Sequence, residues 1–104
     1  GYNTGITYSQ LARTPDEYLY EKVKFQGKVI QVMEGNDKVQ IRLAVDGNYD
    51  NILLGEYDVS IVSSRVLEDD YITIYGLSAG LITYESTLGA SITIPSVSID
   101  KIDM

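Results

Sequence analysis

Asp46, Asn48 and Asp50 stand at alternate positions in "AVDGNYDN", residues 44–51, the spacing with which a calcium-binding loop begins. Such a loop takes oxygen ligands at its first, third, fifth and twelfth positions and needs a glycine at the sixth. Counted from Asp46, the sixth position is Asn51 and the twelfth is Tyr57. The bidentate glutamate is missing, and Glu56, one place early, is held to a fixed face if it lies on a strand. Asp, Gly and Asn also make ordinary turns, because they tolerate positive φ and bond their own backbone. The stretch is therefore read as a hairpin turn, with Asp46, Asn48 and Asp50 as a weak cation candidate and no cofactor expected.

A second candidate is electrostatic. The chain of 104 residues has a net charge of −7, yet residues 22–45 carry five basic side chains against two acidic ones, and the remainder carries three against thirteen. If the strands around them pair side by side, Lys24, Gln26 and Lys28 lie beside Lys38, Gln40 and Arg42 on one outward face. Tyr49 and Tyr57 flank the next strand, and Tyr71 and Tyr75 share a face of the one after it. Cations with aromatic platforms are what single-stranded nucleic acid needs. The plainer reading is that lysine and glutamine guard an outer strand and that tyrosine covers half-buried barrel surface. The acidic body opposes phosphate binding.

Catalysis has little to work with. There is no histidine and no cysteine, which removes the usual general base, thiolate metal sites and the common nucleophile pairs. Glu68, Asp69 and Asp70 are adjacent, but neighbouring strand residues face opposite sides, so adjacency makes no shared site. The chain is expected not to be an enzyme.

The elements that must position these residues are strands. Val23, Phe25 and Val29 alternate with Lys24, Gln26 and Lys28, as in a strand with one buried face. Gly27 on the inward face suits a sharp bend, and the doubled Val29-Ile30 suits a bulge. After "EGND", Val39, Ile41, Leu43 and Val45 alternate against Lys38, Gln40 and Arg42, completing a hairpin. "ILLGEY" is the third strand, Asp58 caps a short helical turn through Val62, and "YITIYGL" is the fourth. "LITYE" and "ASITIPSVSIDKI" are the last strands, with Pro95 marking an edge or bulge. Ahead of them, Thr7 with Gln10 and Thr14 with Glu17 each fit a capping box, with Pro15 at a first helical position. Leu11, Tyr18 and Leu19 are expected to dock this segment.

The fold class is thus all-β: a small closed barrel of five to six antiparallel strands over residues 22–104, with an N-terminal helical segment over 1–21, together one domain. "KVKFQGKVIQV", "LEDDYITIYG" and "ITIPSVSIDKI" resemble small OB-fold domains of the anticodon-binding type found in exported proteins and lipoproteins of Gram-positive bacteria. Some of those are labelled toxin regulators or nucleic-acid binders. The pattern Y-x-G-K-x-V-x-F-x-G-x-V of such domains is matched except that Tyr20 and Glu21 replace its glycine turn. No apolar run is long enough for a membrane helix. The start at Gly1 rather than methionine suggests a trimmed chain and leaves open a signal or anchor upstream.

The resemblance implies a non-enzymatic binding module, extracellular or attached to the cell surface, whose ligand is a protein or a cell-envelope component. A single-stranded nucleic-acid binder is the alternative, using Lys24, Lys28, Lys38, Gln40 and Arg42 with Tyr49 and Tyr57. A weakly calcium-stabilised adhesion module is the third.

Overall fold

The computed structural model describes residues 1–2 and 5–104. Its strands are β1 (Lys22–Glu34), β2 (Lys38–Val45), β3 (Ile52–Asp58), β4 (Tyr71–Glu85) and β5 (Ser91–Asp103), preceded by the helix α1 (Tyr8–Arg13). They close a barrel in the order β1-β2-β3-β5-β4, with β4 returning to β1. This is the expected all-β barrel of OB type, with five strands. "YITIYGL" and "LITYE" are one strand, because Gly80 at φ +83° and a register shift between Ser78 and Leu81 bend β4 without ending it. Nor is every pair antiparallel: β3 and β5 close the barrel in parallel over Leu54–Glu56 and Ser96–Ser98.

Alternation decides what fills the cylinder. Val23, Phe25 and Val29 of β1, Val39, Ile41, Leu43 and Val45 of β2, and Ile72 and Ile74 of β4 are all buried in one core. β1 serves two neighbours, pairing β4 over Lys22–Lys28 and β2 over Gly27–Glu34. The shift it needs lies between Val29 and Gln31, so Ile30 is the bulged residue. Backbone groups of Asp69 and Asp70 bond Val29 at that point.

At the N terminus, Thr7 and Gln10 form the capping box, with the Thr7 Oγ1 accepting from the Gln10 N–H at 3.2 Å and the Gln10 Oε1 accepting from the Thr7 N–H at 2.9 Å. The second box does not form. Thr14 instead donates its hydroxyl back to the Gln10 carbonyl, leaving Pro15–Tyr18 as a 3-10 turn with no side-chain cap. Leu11 is buried and Tyr18 packs against the core, while Leu19 stays exposed.

Two acidic contacts link folding to pH. The Arg65 guanidinium meets Glu34 in two hydrogen bonds, of 2.6 and 3.1 Å, and holds its carboxyl below the ordinary 4.5. Asp58 caps the turn Val59–Ile61, and the Ser60 N–H and hydroxyl hold it below the ordinary 3.8. A carboxyl depressed in the folded state contributes stability above its unfolded pKa and loses it as pH falls through the lower folded value. Melting temperature should therefore drop below about pH 4, less steeply in Glu34→Gln with Asp58→Asn. An acid slope unchanged in that double variant would refute both contacts as its source.

Candidate functional site

The register divides the basic stripe. Lys24 and Gln26 face Tyr75 and Thr73 across β4, whereas Gln40 and Arg42 sit opposite Met33 and Gln31, beyond the bulge. The expected single face of six side chains is not formed, because β1 coils between two different neighbours.

On the β2 side the polar groups are already engaged. Gln40 donates to Glu56 at 3.1 Å, and Lys38 lies across the ladder from Asp58. Arg42 stacks on Tyr84, its Cζ 4.0 Å from the ring centre, and its Nε is buried with no hydrogen-bond partner among the described residues. Tyr84 comes from an arm made by the end of β4 and the start of β5, in which Ile82 pairs with Ile94 and Tyr84 with Ile92. The arm lies over the outer wall of β2 and β3: Ala79 and Ile82 face Gln40, Leu54 and Glu56 across a narrow groove. Leu54, Ala44 and Ile94 are buried yet stand apart from the barrel core.

Tyr57 is corrected from platform to core. It is 3% exposed and packs inside the barrel, where burial pushes its hydroxyl pKa up. Its partner in the ladder is Val39, which also points inward. Tyr49 does stand out, at 59% exposure, with the Lys28 ammonium 5.8 Å from its ring centre. Lys28 also pairs with Asp69 at 3.5 Å, and its hydrogen bond to Tyr49 is the main cause of its raised pKa.

The residues around the opening motif form a turn. Asp46 takes φ +57° and Gly47 φ +75°, and the Asn48 Oδ1 accepts from the Asp50 N–H at 2.9 Å. The Asp46 carboxylate accepts from the Gln26 side chain at 3.4 Å. Among the described residues no group of three acidic side chains gathers as a metal site, and Asn48 spends its oxygen inside the turn.

What the fold does bring together is a cleft of about 600 Å³ between the N-terminal segment and the barrel wall. Ile6, Thr7 and Tyr8 form one side; Lys24, Phe25 and Gln26 of β1 with Val45, Asp46 and Asn51 form the other. Tyr8 is fixed there by donating its hydroxyl to the Ile52 carbonyl at 2.8 Å. Outside the cleft, the Tyr2 hydroxyl donates to Asp100 at 3.0 Å and its ring meets Tyr75 edge-on at 5.8 Å. Tyr75 in turn donates to Asp103 at 2.8 Å, with Lys24 and Lys101 over its ring at 5.6 and 5.0 Å.

One ammonium, one carboxylate, two side-chain amides and two rings make this lining able to hold a hydroxylated or zwitterionic group by hydrogen bonds. Lys24 and Asp46 belonged to two separate sequence candidates, and the structure joins them. Asn51, Tyr8 and Tyr84 were not expected as site residues. The only sequence signal for Tyr84 is the alternation of Ile82, Tyr84, Ile92 and Ile94 on one face of "LITYE" and "SITIP". No helix among the described residues is long and apolar enough to cross a membrane. The chain matches no protein-family model and no curated protein.

Proposed function

We propose that this chain is a non-enzymatic binding barrel of an exported or surface-displayed bacterial protein, and that its ligand is another protein or a cell-envelope component. The observation that supports this best is the cleft, where Lys24, Gln26, Asp46 and Asn51 surround Tyr8 and Phe25. That is hydrogen-bonding equipment beside apolar surface, as ligand sites require, without the base and nucleophile pair that acyl or glycosyl transfer needs. The exported setting rests on the family resemblance alone. Nucleic acid is the weaker reading, because Tyr57 is buried, Arg42 is under Tyr84 and Lys28 is beside Asp69.

Titration of isotope-labelled protein with soluble peptidoglycan fragments, followed by amide shifts, tests the cleft. The amides of Lys24, Gln26, Asp46 and Asn51 should move together, and Asp46→Ala with Gln26→Ala should weaken binding about tenfold, as expected for two lost hydrogen bonds. A short thymidine oligonucleotide run beside them decides the alternative. Tight binding that falls steeply with salt and is lost in Lys38→Glu with Arg42→Glu would overturn the reading in favour of single strands.

A further inference from the structure

We propose that the outer edge of β4 over residues 79–85 receives an extended, basic segment of a partner protein as an added strand. On the β1 side of β4 the ladder runs from Tyr71 opposite Lys28 to Leu77 opposite Lys22. It ends with two backbone bonds at Ser78: Tyr20 N–H to its carbonyl at 2.8 Å, and its own N–H to the Glu21 carbonyl at 3.0 Å. The Ser78 hydroxyl also bonds the Tyr18 carbonyl. β4 continues to Glu85, and among the described residues only β5 pairs with that part, from Leu81 opposite Pro95 to Glu85 opposite Ser91.

No described strand fills the lane beside it, because the chain turns out of it. Tyr20 has φ +62°, a left-handed backbone that a bulky residue seldom takes. The residues before it leave the line of β1 instead of extending it. An unpaired strand edge offers alternating N–H and C=O groups to any extended chain, and proteins normally guard such edges with proline, lysine or a cover. The β5 edge of the same arm is guarded from Ile94 to Val97, by Pro95 and by burial. The β4 edge carries neither proline nor lysine.

Exposed apolar side chains gather along the open edge. Tyr20 is 73% and Leu81 41% exposed, Leu19 reaches toward Gly80, and Leu88 at the tip of the arm is 94% exposed. The charge around them is mainly negative, with Arg42 against Tyr84 as the basic exception. No basic residue occurs between Arg65 and Lys101, and the neighbouring segment 14–21 contributes Asp16, Glu17 and Glu21, with Glu85 on the edge itself. A second copy of this chain, at −7, meets like charge here. A segment alternating lysine or arginine with aliphatic residues meets opposite charge, main-chain partners and apolar contacts together.

This inference rests on the protein-binding reading above and is tested apart from the cleft. The probe is a capped peptide of about ten residues alternating valine and lysine, long enough to span the edge, added to isotope-labelled protein. Amides of residues 79–85 should shift and exchange more slowly with solvent. The same peptide N-methylated at alternate residues should bind at least about tenfold more weakly, since it keeps the charge and loses the ladder. Thr83→Lys, at an exposed position, should have a similar effect. Equal affinity for the methylated peptide, or no movement of residues 79–85, would sink the edge. Shifts confined to Lys24–Gln26 and Asp46–Asn51 would sink it too, while leaving the chain a binding module at its cleft.

Discussion

Gly27→Ala or Gly76→Ala should destabilise the barrel by at least about 3 kcal/mol, a large share of the roughly 5–15 kcal/mol that holds an ordinary domain together. Gly27 is the point where β1 is paired on both sides, to Val45 of β2 and to Ile72 of β4. Gly76 holds the matching place in β4, between Val23 and Ile99. A methyl group on Gly27 would run into the Ala44 carbonyl oxygen and come within 3.0 Å of the Val45 Cα. One on Gly76 would run into the Ser98 carbonyl and come within 2.9 Å of the Ile99 Cα. The obstacles are backbone atoms of a neighbouring strand, so relief requires parting the ladder that closes the cylinder. Gly55 provides the control. A methyl there meets the Ile99 side chain, whose end can rotate away, so Gly55→Ala should cost only about 1–3 kcal/mol. Urea unfolding of the three variants orders them, and a Gly27→Ala protein within about 1 kcal/mol of the parent would mean that the strands do not approach so closely.

The bend at Gly27 and the bulge at Ile30 were legible because a missing side chain and a doubled apolar pair interrupt an otherwise regular alternation. The same alternation placed Phe25, Ile41 and Leu43 inside. The first half of β3 gave no such signal. Ile52, Leu53 and Leu54 are all apolar, and the structure shows why: Leu53 faces the core while Leu54 is buried outside it. Covered on both faces, that half of the strand loses its period; only Glu56 and Asp58, exposed on either side of Tyr57, carry the alternation that points it inward. Arg42 was placed on the outward face, as its alternation requires, but alternation says nothing of what another segment lays over that face. The continuity of β4 was hidden for a related reason. Gly80 suits both a turn and a bulge, and only pairing with β5 distinguishes them. The cleft joins residues 5–9 to residues 24–26 and 45–51, a juxtaposition that local pattern does not encode.

Phe25→Ala should cost about 3 kcal/mol, near the lower end of the 3–5 kcal/mol typical for removing a buried phenylalanine. Phe25 is the chain's only phenylalanine, there is no tryptophan, and it is 6% exposed opposite Ile74. Its loss therefore removes the largest purely apolar side chain of the barrel. Two terms set the cost: the lost transfer free energy and the cavity left behind. The second is reduced here, because Phe25 also lines the cleft and the space it vacates opens toward the N-terminal segment rather than forming a closed void. Phe25→Leu retains most of the volume and should cost less than about 1.5 kcal/mol. Chemical denaturation reads both values. A Phe25→Ala cost below about 1 kcal/mol would place the ring at the surface and overturn the register of β1, whereas about 5 kcal/mol would indicate a sealed core and a cleft that stops short of it. The intermediate value ties the stability of the barrel to the same side chain that forms the apolar floor of its candidate site.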